Sequence, residues 1–171
     1  MLKLFLPDQY VKSVFEIRPE ELKKKGIKGV ITDLDNTLVA WNVAHATEQV
    51  HEWFKEMEEH GIAVTIISNN KGNRVELFSL PLNRPFISHA KKPLKGAFIK
   101  AAKEMKLSRD EVVVIGDQVL TDVLGGNRAG FSTILVVPIV DTDDKITRFN
   151  RKIERKILNK LQKQGLIEWE N

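Results

Sequence analysis

Four short polar clusters hold residue types that can do chemistry: Asp33-Leu34-Asp35-Asn36-Thr37, Ser68-Asn69-Asn70, Lys91-Lys92-Pro93, and Gly116-Asp117-Gln118 with Thr121-Asp122 close behind. Aspartates gathered without a neutralising partner repel one another and raise each other's pKa, so a convergent set makes best sense around a hard divalent cation. Mg2+ fits best, since it takes a few carboxylates and fills its octahedron with water and substrate phosphate oxygens. The other groups suit a phosphoryl group. The Ser68 hydroxyl, the Asn69 amide and a lysine ammonium can hold the equatorial oxygens over which charge spreads during transfer. Phosphoryl transfer is the reaction class these residues point to.

Such clusters act together only if the chain brings them to one place. From Gly29 onward, short apolar β-branched runs alternate with longer amphipathic stretches, the pattern of a βαβ fold with a parallel sheet. Strands are expected at 29–33, 62–68, 86–88, 111–116 and 133–137, and helices at 47–60, 73–80, 95–105 and 121–129. Val50, Trp53, Phe54 and Met57 keep the i, i+3, i+4, i+7 spacing of a buried helix face, with Thr47 as N-cap and Gly61 as stop. In open α/β sheets ligands bind beyond the carboxyl ends of the strands, where these clusters fall. The expected fold class is therefore α/β, a three-layer, Rossmann-like arrangement with a mainly parallel sheet.

The chain has 171 residues, 42% hydrophobic and 29% charged, a globular balance that suits one domain over 1–171. Cysteine is absent, which excludes disulfides, thiolate metal sites and a cysteine nucleophile, and suits a reducing compartment. No apolar run approaches the roughly 20 residues that cross a bilayer, and the start, MLKLFLPDQYVKS, lacks a cleavage-like segment; a cytoplasmic location is expected. The net charge of +4 permits an anionic partner without requiring one. Outside the core at about 28–137 lie an N-terminal extension, 1–27, and a basic amphipathic helix at about 145–163. That helix carries eight basic residues against Glu154 alone, with Ile146, Phe149, Ile153, Ile157 and Leu161 as an apolar stripe. It either packs on the domain, meets another subunit, or lies on an anionic membrane surface.

Taken in order, Asp33-x-Asp35-x-Thr37, Ser68, Lys92-Pro93 and Gly116-Asp117-x-x-x-x-Asp122 resemble the four motifs of the haloacid dehalogenase-like (HAD) phosphatases, over roughly residues 28–137. More narrowly, DLDNTLV, SNN, AKKP and IGDQVLTDVLGGNRAG resemble the class IIIA, YqeG-type branch, which is similar to the phosphatidylglycerophosphate phosphatases of mitochondria and plants. The resemblance implies Asp33 as the nucleophile that forms an aspartyl-phosphate, and Asp35 as the acid that protonates the leaving oxygen and then activates water. It implies Mg2+ held by the Asp33 carboxylate, the Asp35 main-chain carbonyl and Asp117, with Asp122 binding directly, through water, or bracing its neighbours. Ser68, Asn69 and Lys92 would stabilise the transferring group; Lys91 competes, but Lys92 directly precedes the proline. Thr37 would tie down the loop after the nucleophile.

Many relatives insert a cap domain after the first motif or between the second and third. Here 30 residues separate Thr37 from Ser68 and 23 separate Ser68 from Lys92, and the expected elements consume both intervals. A capless, open site suits a phospholipid headgroup, a phosphoprotein or a nucleic-acid end better than a small metabolite that needs enclosure. The expected reaction is dephosphorylation of phosphatidylglycerophosphate, with a soluble phosphomonoester as the alternative. A non-catalytic scaffold whose tail contacts RNA or an acidic protein is the rival from another class. No base-reading motif is present, so no specific nucleic-acid partner is expected. Gln118 and Asn70 read equally as turn formers or ligand contacts. Trp41 reads as a loop anchor or as lining of the site mouth, and the four histidines lack metal spacing. The oligomeric state stays open.

Overall fold

Val112-Val113-Val114-Ile115 is a run of four β-branched residues, which crowd a helix and suit a strand covered on both faces. In the computed structural model, which describes residues 2–141 and 145–169, it forms the heart of a six-stranded sheet. The strands are β1 (Gln9–Val11), β2 (Gly29–Thr32), β3 (Ala63–Ile67), β4 (Phe86–Ile87), β5 (Val112–Gly116) and β6 (Ser132–Val136). They lie in the order β1-β6-β5-β2-β3-β4, with every neighbouring pair parallel. The helices between them are α1 (Pro19–Lys24), α2 (Glu48–Glu59), α3 (Gly72–Ser79), α4 (Gly96–Met105) and α5 (Leu124–Ala129), and α6 (Lys145–Lys163) closes the chain.

Strand pleating sends alternate residues to opposite faces. Val113 and Ile115 pack with Val30, Val64 and the α2 residues Val50, Trp53, Phe54 and Met57. Val112 and Val114 pack on the other side with Ile31, Ile67 and the α4 residues Phe98, Ala101 and Ala102. The α2 helix starts where expected, with the Thr47 hydroxyl accepting from the Val50 amide at 3.3 Å, and Gly61 follows it at φ 70°.

The sheet grows outward in both directions from the β2–β5 pair, where Thr32 faces Ile115, so the switch in strand order lies between their carboxyl ends. That is where a doubly wound sheet opens a crevice for a ligand. Asp33 continues β2, its amide donating to the Ile115 carbonyl at 2.9 Å, and Asp117 follows β5 directly.

The structure departs from the sequence expectations in three places. Residues 9–11 form a sixth strand on β6, with Gln9 facing Ile134, and Val14, Ile17, Leu22 and Ile27 join the main core. Three residues are too few to show a period, so the strand left no pattern. The helix expected from 121 is preceded by a π-helical turn, Val119–Val123, that runs into α5. Along α6 the apolar stripe divides: Leu161 is buried and Ile157 packs against Val119, Val123, Leu135 and Leu158, a residue outside the stripe, while Ile146 and Phe149 are 74% and 64% exposed.

Candidate active site

Two strand ends and one turn deliver the buried acidic residues. Asp33 ends β2, Asp117 follows β5, and Asp122 stands in the π-helical turn; all three are buried and each can offer one oxygen within 4.8 Å of the others. Gly116 permits this approach, because a Cβ built there would lie 2.2 Å from the Asp122 carboxyl carbon. Lys92 reaches in from the loop after β4, its ammonium 2.7 Å from Asp33 Oδ1 and 2.6 Å from Asp122 Oδ1. Lys91 is exposed, so of the two candidate lysines it is Lys92 that joins the cluster.

Asp117 is held from two sides. The Thr37 hydroxyl donates to Oδ1 at 3.2 Å, tying the loop after β2 to the end of β5. Arg151 of α6 donates to Oδ2 through Nη2 and to the Asp117 main-chain oxygen at 2.7 Å through Nη1. Behind it, buried Glu154 meets Arg151 at 3.4 Å and accepts from the Leu120 amide at 3.0 Å.

Burial pushes Asp117 well above the usual carboxylate range; Arg151 opposes this, and Asp33 and Asp122 add to it. Asp122 is pushed up to about 6, by burial first and Asp33 after it, with Lys92 in opposition. Burial alone would pull Lys92 down, but Asp122 and Asp33 outweigh it and hold the ammonium above its ordinary value. Fully ionised, the three carboxylates would carry more negative charge than Lys92 and Arg151 supply. The oxygen donor set and this charge both fit a divalent cation.

Asp35 stands apart from that cluster. Its carboxylate accepts from Arg74 at 3.1 Å on Oδ1 and from the Asn70 amide at 3.1 Å on Oδ2, and Arg74 is fixed in turn by the Ala44 carbonyl at 3.1 Å. The two aspartates of the first motif thus have different partners, an ammonium for Asp33 and a guanidinium with an amide for Asp35. Asn69 clasps the main chain of Lys92, accepting from its amide at 2.7 Å and donating to its carbonyl at 3.1 Å. That leaves the second amide hydrogen of Asn69 for another acceptor. Ser68 is buried and its hydroxyl accepts from the Asn70 amide at 3.0 Å. The Gln118 main chain donates to Asp122 Oδ2 at 3.2 Å.

Asp33, Asp35, Ser68, Asn69 and Lys92 all line one open cavity of about 470 Å3, with Trp41 and Ile146 among its exposed members. Sequence reasoning missed Arg74 and Arg151. Arg74 sits six residues past Ser68 at the start of α3, a place where an arginine near a strand end signals an anion. Arg151 was hidden among eight basic residues of one helix, and no spacing distinguishes it.

A family model described as "HAD-hyrolase-like" matches residues 89–163. The chain is 58% identical over 168 residues to "Probable phosphatase YqeG" of Bacillus subtilis, covering 98% of each. It is 31% identical to "Phosphatidylglycerophosphate phosphatase 1, chloroplastic/mitochondrial" of Arabidopsis thaliana, covering 94% of this chain and 49% of that protein. The fold is similar to the cobalt-bound form of a deoxy-D-mannose-octulosonate 8-phosphate phosphatase from Haemophilus influenzae, with TM-score 0.58, 18% identity, and 84% and 92% of the two chains covered. Likeness to the Bacillus protein across almost the whole of both chains, on a sheet that gathers the motif aspartates at its switch point, shows that this chain belongs to the HAD-like hydrolases and is a phosphatase of that family.

Proposed function

We propose that the protein is a Mg2+-dependent phosphomonoesterase that works through an aspartyl-phosphate and takes phosphatidylglycerophosphate as substrate. The observation that carries the lipid reading is the mouth of the cavity, where Trp41 and Ile146 are 46% and 74% exposed beside a strongly basic helix. Exposed apolar side chains flanked by positive charge suit an anionic bilayer surface. The likeness to the Arabidopsis enzyme supports the same substrate. On this reading the protein works in the cytoplasm, against the inner membrane surface, with α6 as its contact.

Asp33 attacks phosphorus, a P–O bond to carbon's oxygen breaks, and Asp35 gives that oxygen its proton. Asp35 then takes a proton from water, which attacks the phosphorus, frees Asp33 and releases inorganic phosphate. Lys92 aims Asp33 and, with Ser68 and the free amide hydrogen of Asn69, holds the phosphoryl oxygens. Arg74 and Asn70 fix the Asp35 carboxylate, which keeps the proton carrier in one orientation. Asp33, Asp117 and Asp122 would hold the ion, together with the Asp35 main-chain carbonyl. When bound, the ion neutralises the buried carboxylates and the charge that gathers on the phosphoryl oxygens.

The test is phosphate release by wild type and Asp33→Asn from phosphatidylglycerophosphate in mixed micelles, beside soluble phosphomonoesters. Preference for the lipid, dependence on Mg2+ and loss in the variant are expected. Activity confined to soluble esters would overturn the lipid assignment, and an Asp33→Asn protein as active as wild type would overturn the nucleophile.

A further inference from the structure

The cavity lining contains a neutral polar group that the reaction leaves unused. Gln118 and Thr121 come from the turn after β5, and Thr147 and Asn150 lie one helical turn apart on α6. All four are half-buried. Among the described residues, no hydrogen-bond partner engages the side chains of Gln118, Thr121 or Asn150. Half-buried amides and hydroxyls keep donors and acceptors ready for a ligand that can match them, and they resist one that cannot.

The helix that brings this group is held to the catalytic carboxylates. Thr147 and Asn150 stand four residues before Arg151 and Glu154, which grip Asp117 and the Leu120 amide. Residues four apart share a helix face, so the face that anchors α6 is the face that lines the cavity. With no cap domain over the site among the described residues, α6 supplies a wall at a set place relative to Asp33 and Lys92.

We propose that Asn150, with Thr147, Gln118 and Thr121, forms a leaving-group subsite that binds the hydroxyls of a polyol esterified to the phosphate. This rests on the phosphatase reading and deepens it. A glycerol headgroup has a hydroxyl beside the phosphoester to engage these side chains. A flat aryl group has none. Lys71, exposed in the same cavity, suits an anionic group further along such a substrate.

The test compares kcat/KM for glycerol 3-phosphate with that for phenyl phosphate in wild type, Asn150→Ala and Asn150→Ser. In Asn150→Ala the glycerol-to-phenyl ratio falls about five- to tenfold, through KM rather than kcat, as loss of a neutral hydrogen bond predicts. Asn150→Ser, which keeps a hydrogen-bonding group, recovers part of the ratio. Both esters share one nucleophile, so a packing defect lowers the two together. An equal loss on both, or an unaltered ratio, overturns the subsite. Wild type that turns over phenyl phosphate but not glycerol 3-phosphate also overturns it while sparing the phosphatase reading. Turnover of neither ester while phosphatidylglycerophosphate is hydrolysed overturns the subsite and spares the phosphatase reading; turnover of none of the three counts against the phosphomonoesterase mechanism, and the subsite falls with it.

Discussion

Arg151 holds Asp117 by two atoms at once, one guanidinium nitrogen on the carboxylate and the other 2.7 Å from the main-chain oxygen. A helix from beyond the last strand therefore reaches a buried carboxylate of the active site. The fork geometry of arginine suits two acceptors side by side, which a lysine cannot match. Glu154 braces the guanidinium from behind and ties the same helix to the turn that carries Asp122.

Removing that guanidinium leaves a fully buried carboxylate with less compensation. Breaking a buried pair from one side costs about 3–5 kcal/mol, so Arg151→Met lowers the unfolding free energy of metal-free protein by that order. Added Mg2+ restores part of the loss, because the ion supplies the charge that arginine withdrew and binds the native state alone. Urea titrations of both proteins with and without Mg2+ measure this; an equal Mg2+ effect on the two proteins argues that the ion lies away from Asp117.

The adjacent lysines separate sharply. Lys92 bridges Asp33 and Asp122, and Lys91 is exposed one residue away. Lys92→Met lowers kcat on any phosphomonoester by about a hundredfold or more, the scale of losing one preorganised charge at the transferring group. Lys91→Met stays within about twofold, since exposed charges contribute little. Steady-state rates on phenyl phosphate, with thermal melts to confirm folding, settle the contrast.

The buried carboxylates make metal binding depend on pH in one direction. Burial and Asp33 push Asp122 up to about 6, above its ordinary value of 3.8. The native state thus holds more protons than the unfolded chain between those values, and metal-free protein loses stability as pH rises through that window. An ion needs the deprotonated form, so Mg2+ affinity weakens as pH falls below about 6 and binding there releases protons. Calorimetric titration at pH 5.5 and 7.5, in buffers of different ionisation enthalpy, reads both the affinity and the proton count. Affinity equal at the two pH values would remove Asp122 from the ion's ligands.

Ile146, at the cavity mouth, and Phe149 are exposed near the start of α6. Placing a charge there opposes insertion into the interface between headgroups and acyl chains. Ile146→Asp and Phe149→Asp each reduce co-sedimentation with anionic vesicles by several-fold, and wild-type binding itself fades as salt rises. Retention by neutral vesicles as strong as by anionic ones would argue against the basic face of the helix.

Much of this protein was readable from residue types and their order. Asp33, Ser68 and Asp117 each come at the end of a short apolar run, with Asp35, Lys92 and Asp122 in the turns that follow such runs, and a parallel sheet delivers its strand ends to one edge. The unbroken apolar run along β5 suited a sheet covered on both faces, and the spacing of Val50, Trp53, Phe54 and Met57 foretold α2. These signals are local: backbone period and side-chain branching act within a few residues.

What the tertiary structure alone decided is contact between segments far apart in the chain. Gln9–Val11 is a strand only because β6 offers an open edge to pair with, and nothing within three residues records that. Arg74 meets Asp35 across 39 residues and Arg151 meets Asp117 across 34, yet each arginine looks in sequence like any other solvated charge. The apolar stripe of α6 reads as one face, but packing buries Leu161, half-buries Ile157 and leaves Ile146 and Phe149 in water. Residue pattern along one segment determined most of the elements and the strand ends that meet at the crevice; the partner of a charge, an apolar face or a short edge strand depends on which distant surface arrives beside it, and only the folded chain supplies that.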